Sequence, residues 1–469
     1  MSDMLKESIG TIGQALRDGK TTSVALAKEA VANHDRRGGA LDAYKSRDAN
    51  QFRAEAQAAD AVLAAGIDFG PLQGIPVSVK DLYGVAGYQT FAGTPAALSE
   101  KWEMEGPVVE TFRRALAPIF GKTHTVEFAF GGLGTNAHWG TPRNPWDAKA
   151  HRVPGGSSAG AGVSLCEGSA LLALGSDTAG SVRVPASFTG NVGVKTSFGR
   201  WSVDGIVPLS PSLDTAGVLA RTVSDAILAF AAIDPLTDLP GAALLAGFGD
   251  VGPADIHIGV CDHFFEDCDP GVAEGIKAAI DELAKAGARV SSIDLPEAAE
   301  ADEIFLRGGL AAPEFAAFIN GEMLDRKATL DPNVAARFDS MEAIPAVDYL
   351  IRRDRLQQLS ASLEDRMADV DVVVGPTVPI TPPVVDAVAD LEGYRTHNMG
   401  ALRNTRTANM LALSAVTIPV ALDKAGMPVG FQIMAPLDED ERALAVALAF
   451  EGVLGTGRQR LGTPPLCKD

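Results

Sequence analysis

The sequence predicts an α/β protein with one core of strands and helices and a mostly helical insertion. Two observations predict it. Strand patterns alternate with helical ones from about residue 60 to 230, and strand patterns return after about residue 370. A third observation bounds it: no internal repeat or low-complexity tract divides the 469 residues. The expected layout is one unit over 1–469, with a helical layer at 1–60, core segments at about 60–230 and 370–455, and the insertion at 231–370.

Residues 3–34 read as two helices. Leu5, Ile9, Ile12 and Leu16 recur at helical spacing, and Thr22-Ser23 caps a second run carrying Val24, Leu26, Ala27 and Val31. Alanine-rich helical sequence continues to Ala65. "PLQGIPVSVKDL" then reads as a buried strand from Ile75 to Val79. "GPVVETFRRALAPIFGKT" reads as a helix leading into a strand, and "SAGAGVSLCEGSALLALGSD" as a small-residue helix followed by a strand from Ala170 to Gly175. From about 230 to 400 the texture is helical, acidic and punctuated, as in "DPLTDLP". "DVVVGPTVP", "AVTIPVAL" and "MPVGFQIMA" restore the strand pattern, and a helix from Asp438 to Leu454 closes the chain.

Composition excludes several function classes. Forty basic against sixty acidic side chains leave a net charge of −20, with no basic run. Independent nucleic-acid binding needs a positive footprint, so none is expected. No apolar run approaches the ~18 residues of a membrane span, and "MSDMLKESIG" lacks an apolar signal core. The expected compartment is the cytoplasm. Cys166, Cys261, Cys268 and Cys467 are too few and scattered for a disulfide framework, and one Cys-x6-Cys pair is a weak metal signal. No metal and no organic cofactor is implied. A homodimer is left open.

Three glycine-rich stretches invite a nucleotide reading and fail it. "PGGSSAGAG" is not followed by Gly-Lys-Ser/Thr, "GNVGVKTS" has Val194 before Lys195, and "GLGTNAHWG" lacks an acid at the expected distance. The bland reading of all three is tight turns around packed helices, and acyl transfer is the functional reading set against it. Such transfer needs a nucleophile, a base in reach and donors aimed at the developing oxyanion. Ser181 in "GSDTAGSVRVPAS" is a hydroxyl standing straight after Ala179-Gly180, with no histidine nearby in sequence. No Gly-x-Ser-x-Gly elbow surrounds it. His138 and His151 are candidate bases, and so is Lys80, which ends an apolar strand where burial would favour its neutral form. The bland alternative for Lys80 is an ion pair with Asp81.

"GIPVSVKD", "RVPGGSSAGAG", "LGSDTAGSVRVPASFTGNVGVKTS" and "ANMLALSAVTIPV…GMPVGFQIMAP" together resemble the amidase signature family of serine hydrolases, in order from about residue 20 to 455. The resemblance implies a mixed, mostly parallel central sheet flanked by helices on both sides. It implies a Ser–Ser–Lys triad: Ser181 as nucleophile, Ser157 as bridge and Lys80 as base. The two serines stand 24 positions apart, as in the family, which favours Ser157 over Ser158. A cis peptide is implied at Gly156–Ser157. The backbone N–H groups of Thr178, Ala179, Gly180 and Ser181 become the implied oxyanion hole, and Asp177 and Arg183 the structural support of that loop. Ala179 departs from the family, where glycine is usual, and raises the question of whether the loop needs a positive φ there.

The implied reaction is hydrolysis of the C–N bond of a small-molecule amide to an acid plus ammonia or amine. The alternative within the family is the glutaminase subunit of a tRNA-dependent amidotransferase, although "GKTHTVEFAFGGLGTNAHWG" departs from that subunit's usual loop. By the same resemblance Phe130, Gly131 and Gly132 are candidates for the substrate wall. Trp139 and His138 are as much packing residues as pocket residues. Phe305, Phe315 and Phe318 read as a core stripe before a ligand wall. Arg403 and Arg406 are candidates for clamping a carboxylate.

Overall fold

The computed structural model describes residues 4–339 and 344–468. Residue 3, where the first helix is predicted to begin, residues 340–343 of the predicted insertion, and residue 469 lie outside the described residues.

Eleven strands form one sheet: β1 (Tyr44–Arg47), β2 (Val77–Lys80), β3 (Ile119–Thr123), β4 (Leu172–Asp177), β5 (Val192–Lys195), β6 (Thr215–Ala220), β7 (His257–Val260), β8 (Arg289–Ser292), β9 (Val372–Pro376), β10 (Ser414–Leu422) and β11 (Pro428–Ala435). Their spatial order is β1-β3-β2-β4-β6-β5-β10-β11-β9-β7-β8. The α/β class and the mixed sheet are as predicted, but the balance of directions is not. Four pairings are parallel, β2 with β3 and β4, and β7 with β8 and β9. Six are antiparallel. The reason is in the connections. A parallel pair needs a crossover of a dozen or more residues, whereas β10 and β11 are joined by a tight turn in which Asp423 Oδ1 accepts from the N–H of Ala425 and of Met427.

The predicted insertion also needs correcting. It is mostly helical, but "HIGV" and "RVSS" form β7 and β8 and extend the sheet at its far edge. Both are four residues long, and β8 is largely exposed, so neither carries an alternating apolar pattern. β1, "YKSR", escapes the sequence pattern for the same reason.

The N-terminal layer is helical apart from β1, which interrupts the predicted helical run. Helices span Ile9–Arg17, Ser23–Leu41 and Ala49–Ala64, and the Thr22 hydroxyl accepts from Ala25 N–H at the start of the second. Phe120 of β3 fastens this layer to the sheet. Its ring lies 4.9 Å from Tyr44, 5.1 Å from Phe52 and 5.5 Å from His34, in tilted or edge-on contacts. Such pairs add about 0.5–1.5 kcal/mol each beyond area burial.

The small-residue helix Ala159–Glu167 explains its own composition. A Cβ on Gly160 would sit 2.0 Å from the Ala43 carbonyl oxygen, and one on Gly162 2.2 Å from Thr189 Oγ1. Only glycine lets this helix approach so closely, and its N-terminal end carries Ser157 and Ser158 to the ends of β2 and β4.

Candidate active site

Strand alternation puts Lys80 and Asp81 on opposite sides of the sheet. Ser78 and Lys80 share one side. Ser78 Oγ lies 2.9 Å from Ser164 Oγ, and Lys80 Nζ donates to Ser157 Oγ at 2.7 Å and to Ser176 Oγ at 2.9 Å. Asp81 faces the other way, 3.0 Å from Lys122 Nζ, and accepts from the N–H groups of Phe91 and Ala92. The bland Lys80–Asp81 pairing is therefore not made. Lys80 is fully buried, and burial lowers its pKa from 10.5 to about 7, with Asp177 and Asp214 pulling it back up.

The peptide bond Gly156–Ser157 is cis. The Ser157 loop touches the Ser181 loop through Ser158 N–H, which donates to the Ser181 carbonyl at 3.3 Å. Its other side is bonded to the glycine loop: Gly156 N–H donates to Gly132 C=O at 2.8 Å, and Val126 N–H to Ser157 C=O at 3.1 Å.

Asp177 and Arg183 organise the segment between them. Arg183 Nε and Nη2 donate to the two Asp177 oxygens at 3.0 and 2.9 Å. Its Nη1 donates to Thr405 C=O and Gln432 Oε1, and Nη2 also to Asn409 Oδ1. Burial alone would raise the Asp177 carboxyl. The Arg183 charge and hydrogen bonds override this, aided by Lys195 and Asn409, and hold it below the usual carboxylate range.

This brace alters the set of donors. Gly180 N–H, one of the expected oxyanion donors, donates to Asp177 Oδ1 at 2.8 Å and is therefore already committed. Among the described residues, the N–H groups of Thr178, Ala179 and Ser181 have no protein acceptor. The departure at Ala179 also finds its answer. The positive φ belongs to Gly180, at 132°, and not to Ala179. A Cβ on Gly180 would sit 2.1 Å from Thr405 Oγ1, which donates to Ala179 C=O.

The glycine loop is tightly built. Phe128 and Ala129 hold positive φ of 47° and 59°, sparsely populated for residues with side chains. Phe130, Gly131 and Gly132 are all buried. The Phe130 ring packs 5.0 Å from Phe315, and the Arg337 guanidinium lies over it at 4.0 Å. Gly131 abuts Tyr394 and Gly132 abuts Leu402. The cavity beside Ser176 takes Ala129 from this loop instead, together with Leu82, Ile206, Leu209 and Asp214. Helix Leu391–Leu402 covers Gly131 and Gly132, so neither glycine lines that cavity.

The other candidates go elsewhere. His138 Nε2 lies 3.1 Å from Glu127, whose carboxyl burial raises to about 8, and His151 bonds Thr141 C=O at an exposed position. Trp139 donates to Thr94 C=O and packs against Phe91 and His124. Phe315 is buried core, and Phe318 packs edge-on to Trp102; Phe305 lies on the preceding helix beneath Arg406. Arg406 is paired through Nε with Asp302 at 2.7 Å while its buried Nη1 has no hydrogen-bond partner among the described residues, and Arg403 is bonded to Glu266 C=O. Among the described residues no group of three or more His, Cys, Asp or Glu is gathered as a metal site. Asp214, in "SPSLDTAG", carries no sequence signal, because nothing in its neighbours marks it.

The amidase family model matches residues 28–444. The chain belongs to the amidase family. It is 51% identical to 2-amino-5-chloromuconic acid deaminase of Comamonas testosteroni, over 96% of this chain and 97% of that one. It is 31% identical to a glutamyl-tRNA(Gln) amidotransferase subunit from Gloeobacter violaceus, over 95% of this chain and 96% of that one. A solved amidase structure superposes with a TM-score of 0.85 at 31% identity, covering 96% of this chain and all of that one. As a member of the amidase family, this protein is a hydrolase acting on C–N bonds. Among the described residues no helix is long and apolar enough to cross a membrane.

Two outcomes follow from the loop geometry. Ala179→Gly should keep kcat/KM within a few-fold, whereas Gly180→Ala should lose at least about 100-fold, the scale of a displaced oxyanion donor. Equal effects of the two would contradict the loop description. Arg183→Met should destabilise the fold by about 3–5 kcal/mol, because it leaves Asp177 buried and uncompensated. Thermal or denaturant unfolding of the variant checks this, and a loss below about 1 kcal/mol would contradict it.

Proposed function

We propose that the protein releases ammonia from a small amino- or amide-bearing acid through a covalent intermediate on Ser181. The observation that carries the mechanism is the Lys80 amine, fully buried and 2.7 Å from Ser157 Oγ, with hydroxyls as its side-chain partners. With a pKa near 7, about half of it is neutral at neutral pH. Neutral Nζ takes the Ser157 proton as Ser157 takes that of Ser181, and Ser181 Oγ adds to the carbon bearing nitrogen. The N–H groups of Ala179 and Ser181, with Thr178 beside them, are the donors for the charge that develops. The proton returns through Ser157 to the leaving nitrogen. Water then adds by the same route and frees Ser181.

The substrate class is inferred from the 51% likeness to the Comamonas deaminase. A 2-amino-dienoic acid reaches its imine tautomer by a proton shift. Addition of Ser181 to that carbon and loss of ammonia parallel amide hydrolysis, with one water consumed and one ammonia released. The glutaminase reading is less favoured, since those relatives match at 31% and 33%. We extend the proposal to an enzyme of the cytoplasm, on its net charge of −20 and its four free cysteines.

Ammonia release should be measured with 2-amino-5-chloromuconic acid, a panel of primary amides and glutamine. The amino-dienoic acid should give the highest kcat/KM, and a higher value for glutamine would contradict the substrate assignment. An organofluorophosphonate should label the wild type on Ser181 and fail to label Ser181→Ala.

A further inference from the structure

Thr178 opens the donor loop, and its side chain is tied to a residue outside that loop. Thr178 Oγ1 donates to Asp214 Oδ1 at 2.5 Å. The N–H groups of Leu209 and Ser210, both 2.9 Å away, donate to Asp214 Oδ2. Strand register explains the meeting. β6 pairs antiparallel with β4, opposing Thr215 to Asp177, so Asp214 lies across from Thr178. Asp214 also shares the cavity wall with Ser176, one of the two hydroxyls that hold Lys80.

We propose that Asp214 is a positioning residue of the site: it holds Thr178 from across the Ser176 cavity and presents a second carboxylate, after Asp177, toward Lys80. The inference rests on the Ser181–Ser157–Lys80 reading. A cavity-lining carboxylate there acts in two ways. As an acceptor with both oxygens engaged, it fixes where the donor loop begins. As a negative charge in a poorly hydrated site, it favours protonated Lys80 and so sets the pH at which the base becomes available. The charged groups around Asp214 are Lys80 from β2, on which its charge acts, and Glu314 from helix Ala311–Glu322, while Asp177 from β4 turns its carboxylate to Arg183. Glu314 is itself tied in: Ser210 Oγ donates to it at 2.7 Å, Ser212 N–H at 3.1 Å and Tyr349 OH at 2.7 Å. The predicted insertion thereby reaches the donor loop through Glu314, Ser210 and Asp214. Burial lifts the Asp214 carboxyl to about 6, with Thr178, Ser210 and Leu209 opposing, so it is mostly charged above neutrality, where Lys80 loses its proton.

The sign of the test follows. Asp214→Asn removes a charge that raises the Lys80 pKa, so the midpoint for activation should move to lower pH. The rate constant for organofluorophosphonate labelling of Ser181, measured between about pH 5 and pH 9, reads this directly. Asp214→Asn should label at least about 10-fold more slowly at its plateau and shift the midpoint down by at least about half a pH unit. Thr178→Val breaks the hydrogen bond but keeps the charge, so it should slow labelling with the midpoint unmoved. An Asp214→Asn midpoint equal to that of the wild type, whatever its plateau, would overturn the inference. If Asp214→Asn does not fold, Thr178→Val carries the test, and wild-type labelling in that variant overturns it. Labelling that persists in Ser181→Ala overturns instead the triad reading beneath it.

Discussion

The centre of this molecule depends on keeping one lysine dry. A drop in the Lys80 pKa from 10.5 to about 7 disfavours its charged form by about 5 kcal/mol. That penalty is sustained only because β2 lies between β3 and β4 in the sheet, with all four of its residues buried. The adjacent acid would neutralise the effect if it faced the amine. Strand alternation sends Asp81 to the opposite face, where Lys122 meets it. The amine is left with Ser157 and Ser176, which solvate it without fixing its charge.

A second buried device works by the opposite logic. Asp177 and Arg183 are both fully buried and both charged, and the pair is tolerated because nearly every donor and acceptor around it is engaged. Its effect is geometric. By accepting from Gly180 and Val182, Asp177 folds the segment 178–181 into a loop whose other N–H groups have no protein acceptor among the described residues. Thr405 and Asn409, in a helix more than 200 positions away in sequence, close the loop from above. The N-terminal and C-terminal parts of the chain thus meet at the proposed nucleophile. The glycine at 180 is required by its backbone angle and by Thr405, which is why alanine is acceptable at 179 and not there.

Much of this was legible in the sequence through short family motifs, although the contacts between them are long-range. "SVKD", "GGSS" and "DTAGSVR" are runs of a few adjacent residues that carry the family resemblance, and the strands beside them are apolar enough to be seen. What could not be read depends on register and distance. β1, β7 and β8 are short and partly polar, and their pairing is decided by neighbours far along the chain. The commitment of Gly180 N–H is a matter of where a carboxylate points. Arg403 and Arg406 are equal candidates for a clamp in the sequence, and only their tertiary partners, Glu266 and Asp302, tell them apart. Asp214 is invisible in "SPSLDTAG" and becomes meaningful only when β6 is laid beside β4.

Activation of Ser181 by neutral Lys80, acting through Ser157, is the step on which the proposed mechanism turns. Its most direct test compares the pH dependence of fluorophosphonate labelling in the wild type with that in Lys80→Arg, with circular dichroism confirming that both are folded. Guanidinium keeps the charge but holds its proton to above about pH 12. The account predicts a wild-type rate that rises with a midpoint near pH 7, and a Lys80→Arg rate lower by at least about 100-fold with no inflection in that range. A Lys80→Arg variant that is labelled at more than about a tenth of the wild-type rate, along the same pH curve, would contradict it.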